Sequence, residues 1–291
     1  MNISKLGEFG LIEVIRTMAL IDRKVICGIG DDAAVLPYTK SKYLLFTTDM
    51  LAEGTHFTRR MKAPLIGRKA LACNISDIAA MGGTPTYAVV SIGLPKSMSV
   101  DFVKNLYKGL AAIATDFGIS IVGGDTMKSS TIVINIALLG EVEKKCLVRR
   151  SGAKPGDWIF VSGPLGGSYK SGRHLTFTPR VHMARLLVKN FRPHAMIDIS
   201  DGLAGDLNHI LEASGVGAKL WEHAIPCQKG ISLKQAISEG EDFELLFTLS
   251  AAKARQLLHW QFKHKKFSFY PIGEITADSK QKLHAKGYAH F

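Results

Sequence analysis

The chain has no paired cysteine motif. Its four cysteines, Cys27, Cys73, Cys146 and Cys227, are scattered with no C-x-x-C spacing, which argues against a zinc knuckle or disulfide framework and fits a reducing cytosol. Long apolar runs are missing too. The longest, Thr131 to Leu139, is about half the ~20 residues that a membrane helix needs. The opening stretch MNISKLGEFGLIEVIRT has no apolar run followed by a small-residue cleavage site, so no secretory signal is expected and a cytoplasmic location is. Signatures of the common nucleotide-binding loops are equally absent. No G-x-x-x-x-G-K-[ST] occurs, since GGDTMKSS has Met where Gly must precede Lys, and there is no H-R-D or D-F-G element.

What remains is the composition of a compact globular protein. Of 291 residues, 46% are hydrophobic and 21% charged, enough for two domains of ordinary size. The net charge of +12 favours anionic partners. Its longest basic cluster, Lys263 to Lys266, is flanked by Phe262 and Phe267 but is too short to line a single-strand groove. Most of the charge therefore reads as solvated surface, and no nucleic acid partner is expected.

The apolar pattern predicts helices over Lys5–Ala19, Pro64–Ala80, Val100–Phe117, Arg180–Asn190, Gly202–Ser214 and Ala251–Phe262. The first carries Leu6, Phe9, Leu11, Ile12 and Ile15 on a broad apolar face. Strands are predicted at Val25–Cys27, Ala33–Leu36, Tyr43–Thr48, Thr86–Gly93, Ile119–Val122, Thr131–Leu139, a run from Trp158, a short run to Ile199, Phe243–Leu249 and Ser268–Ile272. The Gly/Pro-rich segment RRSGAKPGDW marks a crossing between halves. The reading is α+β, with one domain over 1–145 and a second over 146–291.

Aspartates recur where strands end or glycines turn the chain. They lie in Gly30-Asp31-Asp32, Thr47-Thr48-Asp49, Asn74-Ile75-Ser76-Asp77, Gly123-Gly124-Asp125, Asp198-Ile199-Ser200-Asp201 and Gly240-Glu241-Asp242. Any one alone is ordinarily a turn residue or helix cap. Six together are harder to dismiss, because clustered carboxylates repel unless a cation intervenes. Oxygen-only ligands select hard cations, and Mg²⁺ bridges carboxylates to phosphates.

The turn Gly28-Ile29-Gly30-Asp31-Asp32-Ala33 matches G-x-G-x-x-A, yet two features exclude a dinucleotide fold. About nine residues separate Ala33 from the next strand, too few for a crossover helix. Two carboxylates would also face the pyrophosphate. A hairpin presenting Asp31 and Asp32 to metal fits better. Nucleotide binding would then use metals, an Arg and amides of the Gly123-Gly124 and Gly163–Ser168 turns. By spacing alone, Arg150 reads equally as a phosphate contact or a bare surface side chain, and His56 as a packing histidine.

In order along the chain, GEFGLI, GIGDDAAVL, TTDMLAEGTHF, KALACNISDIAAMGGTP, GGDT, RSGAKPGDWIFVSG, IDISDGLAGDLNHI, GEDFELLFT and KGYAHF closely resemble the thiamine-monophosphate kinases. That family belongs to the aminoimidazole-ribonucleotide-synthetase-like superfamily. The resemblance implies an N-terminal mixed sheet with helices that dimerises, and a C-terminal α+β domain. It implies ATP-dependent phosphorylation of thiamine monophosphate by a homodimer. It further implies that Asp32, Thr47, Thr48, Asp49, Asp77, Asp125, Asp198 and Asp201 hold several Mg²⁺ ions. By the same resemblance Gly124, Asp125, Arg150 and Ser200 contact ATP, while His56, Glu241 and Tyr288 hold the thiamine phosphate. No general base is implied.

Two departures stand out. The stretch from Ser168 to Pro179 is short for the family, which puts ATP-proximal packing in question, and Glu239 replaces a usual Gly beside the substrate pocket. Rival readings are a purine-pathway synthetase, a selenophosphate synthetase, a hydrogenase-maturation protein or a basic nucleic-acid binder. The selenophosphate reading calls for a reactive Cys in an N-terminal Gly-rich loop, whereas Cys27 sits in an apolar context that suits a buried thiol.

Overall fold

The computed structural model describes residues 2–283 of the chain. The first half runs α1 (Ile3–Met18), β1 (Ala34–Pro37), β2 (Lys42–Ala52), α2 (Ala63–Ala80), β3 (Thr84–Leu94), α3 (Val100–Phe117), β4 (Ser120–Lys128) and β5 (Val133–Glu143). The second half runs β6 (Asp157–Val161), α4 (Ser168–Ser171), α5 (Val181–Asn190), β7 (Ala195–Asp198), α6 (Leu203–Ser214), β8 (Gly217–Leu220), α7 (Leu233–Ser238), β9 (Leu245–Ser250), α8 (Ala251–His264) and β10 (Tyr270–Thr276). Each half builds one five-stranded sheet, ordered β1-β2-β5-β3-β4 and β7-β9-β6-β10-β8. The first is mixed: β3 and β4 run parallel, so their connection needs the crossover helix α3. The second is antiparallel throughout.

α3 shows why its boundaries were readable. Ser99 caps its start by accepting from Phe102 N at 3.1 Å, and Gly118 ends it in the left-handed region at φ 67°. Leu106, Leu110, Ile113 and Ala114 bury one stripe against α2. α2 is buried almost all round, lying between the first sheet, α3 and α5. A Cβ on Gly109 would stand 1.8 Å from the Pro64 carbonyl oxygen, so only glycine lets the two helices approach this closely.

Three expectations need correction, and two elements had none. Val25–Cys27 forms no strand, only a single bridge from Cys27 to Val35. Gly123-Gly124-Asp125 is no turn but the middle of β4, where a Cβ on Gly124 would meet the Val90 oxygen at 1.8 Å. The glycines thin the strand for its approach to β3. α1 is interrupted at Gly7 (φ 73°), and its Ile12 and Ile15 are exposed rather than packed. β8 and α7 had no counterpart in the sequence pattern.

β5 alternates cleanly, burying Ile134, Ile136 and Leu138 against the helices. The opposite face of that sheet is open and apolar. Phe46, Met50, Tyr87 and Val89 are all exposed on it, and Val122 and Met127 of the edge strand β4 are exposed beside them. Among the described residues no helix is long and apolar enough to cross a membrane.

Candidate active site

Three carboxylates from three parts of the chain converge. Asp32 precedes β1, Asp77 lies in the last turn of α2, and Asp198 ends β7; one oxygen of each lies within 4.8 Å of the others. The packing of α2 against β7 brings both halves to this point. Hydroxyls serve two of the acids: Thr47 Oγ1 donates to Asp77 at 2.6 Å, and Ser76 Oγ donates to Asp198 at 2.5 Å. Arg150 grips Asp32 through Nε at 3.2 Å and Nη2 at 2.7 Å, while its backbone N–H donates to Asp31 at 3.1 Å. Arg150 is thus neither bare nor on open surface.

The electrostatics are those of crowded acids. Burial and then the Asp32 charge push Asp198 up to about 8, despite the Ser76 hydroxyl. The same two causes raise Asp49 to about 6. Burial, followed by Asp49, Asp198 and Asp32, holds Asp77 well above the ordinary carboxyl range. Asp31 reaches about 6 through burial and Asp32. Asp32 is itself raised by burial, against the pull of Arg150. Burial lowers the Arg150 guanidinium, but the charge and hydrogen bonds of Asp32 outweigh that and leave it raised overall. Asp32 Oδ2 and Asp49 Oδ2 are buried with no hydrogen-bond partner. Buried, unsatisfied, mutually repelling carboxylate oxygens are what a hard cation would satisfy.

Beside these acids opens a cavity of about 750 Å³, lined among others by Asp49, His56, Lys69, Ser200, Asp201 and Glu241. It gathers His56 and Glu241 from opposite halves. Asp201 instead groups with Asp206 and His209, whose ligand atoms lie within 4.8 Å of one another. Thr48 and Asp125 stand apart. Thr48 is exposed and donates to Asn135 Oδ1 at 3.2 Å, and exposed Asp125 accepts from Thr126 N at 2.8 Å. Register places Met50, beside Thr48, in line with Asn135, Ser91 and Asp125 across the sheet. Gly124 neighbours Asp125 on that edge strand. Tyr288 lies outside the described residues.

Other expectations change. The amides of Gly166 and Gly167 are already committed, donating to Asp242 and Glu239 at 2.7 Å each. Two amides of the Gly163–Ser168 turn are therefore taken by carboxylates rather than left for phosphate. Asp242 also accepts from Arg173 at 2.5 Å, so it braces the turn instead of facing the cavity. Glu239 ties Gly167, the residue before the short Ser168–Pro179 stretch, to α7, its other oxygen accepting from Gln235 at 3.0 Å. Burial raises the Cys27 thiol, with Asp31 adding to the effect, as expected of an unreactive cysteine.

Sequence reasoning missed three residues. Asp206 and His209 share one face of α6 at an i, i+3 spacing, a signal that was available. Lys69 is 1% exposed inside α2, donating to Glu241 Oε1 at 2.5 Å and to the His56 carbonyl at 3.1 Å. A lysine inside the apolar run KALAC was its only sign.

The chain is similar to known proteins over nearly its whole length. The AIR synthase related protein N-terminal domain matches residues 30–142, and the corresponding C-terminal domain matches residues 154–286. The thiamine-monophosphate kinase of Aquifex aeolicus is 34% identical, covering 100% of each chain. That of Bacillus subtilis is 33% identical over 98% of this chain and 100% of its own. A solved structure of AaThiL complexed with AMPPCP and TMP is 33% identical and superposes with a TM-score of 0.88, covering 100% of this chain and 99% of the other.

Proposed function

This chain belongs to the thiamine-monophosphate kinase family of AIR synthase related proteins, and from that premise we propose that it transfers the γ-phosphoryl group of ATP to thiamine monophosphate. The products are thiamine diphosphate and ADP. One observation carries the chemistry: Asp32, Asp77 and Asp198 converge within 4.8 Å, beside a cavity large enough for a phosphorylated ligand.

The orphaned oxygens of Asp32 and Asp49, in an all-oxygen donor set, fit Mg²⁺. Asp32, Thr47, Asp49, Asp77, Asp198 and Asp201 would hold several such ions. When bound, Mg²⁺ neutralises phosphate charge and aligns attacking and leaving oxygens. The protein's own task is then to position. The acceptor is a phosphate whose second pKa is about 6, already largely ionised at pH 7, so no side chain has to remove a proton. What opposes reaction is repulsion between two anions. Arg150, held by Asp32, adds a fixed positive charge, and with Gly124, Asp125 and Ser200 is assigned to ATP. His56 and Glu241 are assigned to thiamine monophosphate, with Tyr288 as a third contact.

Exposed Phe46, Met50, Tyr87 and Val89 support a homodimer formed through the open sheet face. Thr48 and Asp125 are assigned their metal role in that dimer, where a second protomer covers the same face. The two halves, 1–145 and 146–291, are proposed as its domains, and the cytoplasm as its location.

Product analysis tests the reading. Thiamine monophosphate, ATP and Mg²⁺ should yield thiamine diphosphate and ADP in equal amounts; folded protein giving neither would refute it.

A further inference from the structure

The cavity contains a buried ammonium that the phosphate chemistry described above does not use. Lys69 is 1% exposed, and its Nζ donates both to Glu241 Oε1 at 2.5 Å and to the backbone carbonyl of His56 at 3.1 Å. Removing an ammonium from water is costly even when it is paired, so a buried ion pair is a poor device for stability alone. The geometry around Glu241 suggests another use. Its backbone sits at φ 63°, a conformation that side-chain-bearing residues rarely adopt. Glu241 N–H donates to the Ser200 carbonyl at 2.7 Å, fixing the chain there. One carboxylate oxygen is thus held by Lys69 and the backbone by the Ser200 segment. The other oxygen, Oε2, is buried without a partner, in a side chain that lines the cavity.

This inference rests on thiamine monophosphate being the substrate. That molecule carries an aminopyrimidine whose exocyclic amine is a hydrogen-bond donor. We propose that Lys69 is a positioning residue for substrate selection. By occupying Glu241 Oε1 and tying it to the His56 loop, it presents Oε2 to the pyrimidine amine. An analogue with a carbonyl at that place would set oxygen against oxygen and be rejected. Without the ammonium, the carboxylate is free to rotate, and that removes the discrimination.

Oxythiamine monophosphate, which has a carbonyl where thiamine monophosphate has the amine, is the probe. In the wild type, kcat/KM should favour thiamine monophosphate by a large factor. Lys69→Met should raise KM for thiamine monophosphate by about 10- to 100-fold while kcat falls much less, and should shrink the preference over the oxo analogue by a similar factor. In a Glu241→Gln background the same substitution should have little further effect on that preference, because the lysine acts through the carboxylate. Lys69→Gln is read in parallel in case the Met variant does not fold; it keeps donors but no charge and should lose part of the discrimination. Equal loss with both substrates, or an unchanged preference, would overturn the assignment while leaving the kinase reading intact. A wild type that turns over neither substrate would instead defeat the kinase reading itself.

Discussion

Ser76 and Asp198 are 122 residues apart in sequence, yet the Ser76 hydroxyl donates to the Asp198 carboxyl at 2.5 Å with both side chains buried. The contact joins the last turns of α2 to the end of β7, and so joins the two halves of the molecule at the acid cluster. It also opposes the burial and the Asp32 charge that push Asp198 up to about 8.

Ser76→Ala should therefore make Asp198 harder to ionise. A cation must then displace a more tightly held proton. The Mg²⁺ concentration giving half-maximal rate should rise by about 3- to 10-fold at pH 7, equivalent to half to one pKa unit. The effect should shrink to less than about 2-fold by pH 9, where the carboxyl is at least half ionised in either protein. A magnesium titration of initial rate at the two pH values checks this.

Asp77→Asn and Asp49→Asn separate function from folding. Each removes an ionisable carboxyl from a crowded site, so metal-free thermal stability should stay level or rise. Turnover should fall by about 100-fold or more, because a cation ligand is lost. Parallel losses of turnover and stability would indicate a structural role.

Part of this site was legible in the sequence for local reasons. Asp198 lies at the end of a short apolar run, one residue before Ser200-Asp201-Gly202, and Asp77 lies near the end of a helix stopped by Gly82-Gly83. The meeting of Asp32, Asp77 and Asp198 was not legible, because it depends on α2 packing against β7. Local signals also misled. Gly123-Gly124 has turn chemistry but serves to thin a strand, and Asp242 sits in an acidic motif but braces a loop through Gly166 and Arg173. Lys69 went unread in the sequence, since only the tertiary fold supplies its partner Glu241.

The acid cluster should couple stability to pH in a metal-dependent way. Asp31 and Asp49 are raised to about 6 and Asp198 to about 8, whereas an unfolded aspartate titrates near 3.9. Between those values the native chain holds protons that the unfolded chain has released. The contribution of these groups is fully present below about pH 4 and is lost as pH rises through their native values. Mg²⁺ replaces the protons, so the Tm gain on adding it should be small at pH 5.5 and grow steadily to pH 8.5. Thermal scans with EDTA or Mg²⁺ across that range would show it; a gain independent of pH would contradict it.

The open face of the first sheet should be a contact between protomers. Tyr87 is 52% exposed there, level with Leu139 across the ladder, and Met50 is 62% exposed on the neighbouring β2. Tyr87→Glu should convert a dimer into monomers by sedimentation analysis, since an unpaired carboxylate would be buried in an apolar contact. A wild type that sediments as a monomer would remove the dimer from the reading.

The most direct test follows the phosphoryl group itself. ATP labelled at its γ-phosphate is mixed with excess enzyme, thiamine monophosphate and Mg²⁺ for a single turnover. The label should appear in thiamine diphosphate, with none on the protein, and the transfer should stop when EDTA replaces Mg²⁺. Label recovered as inorganic phosphate or on the protein, with no labelled thiamine diphosphate, would contradict direct transfer at the Asp32–Asp77–Asp198 site.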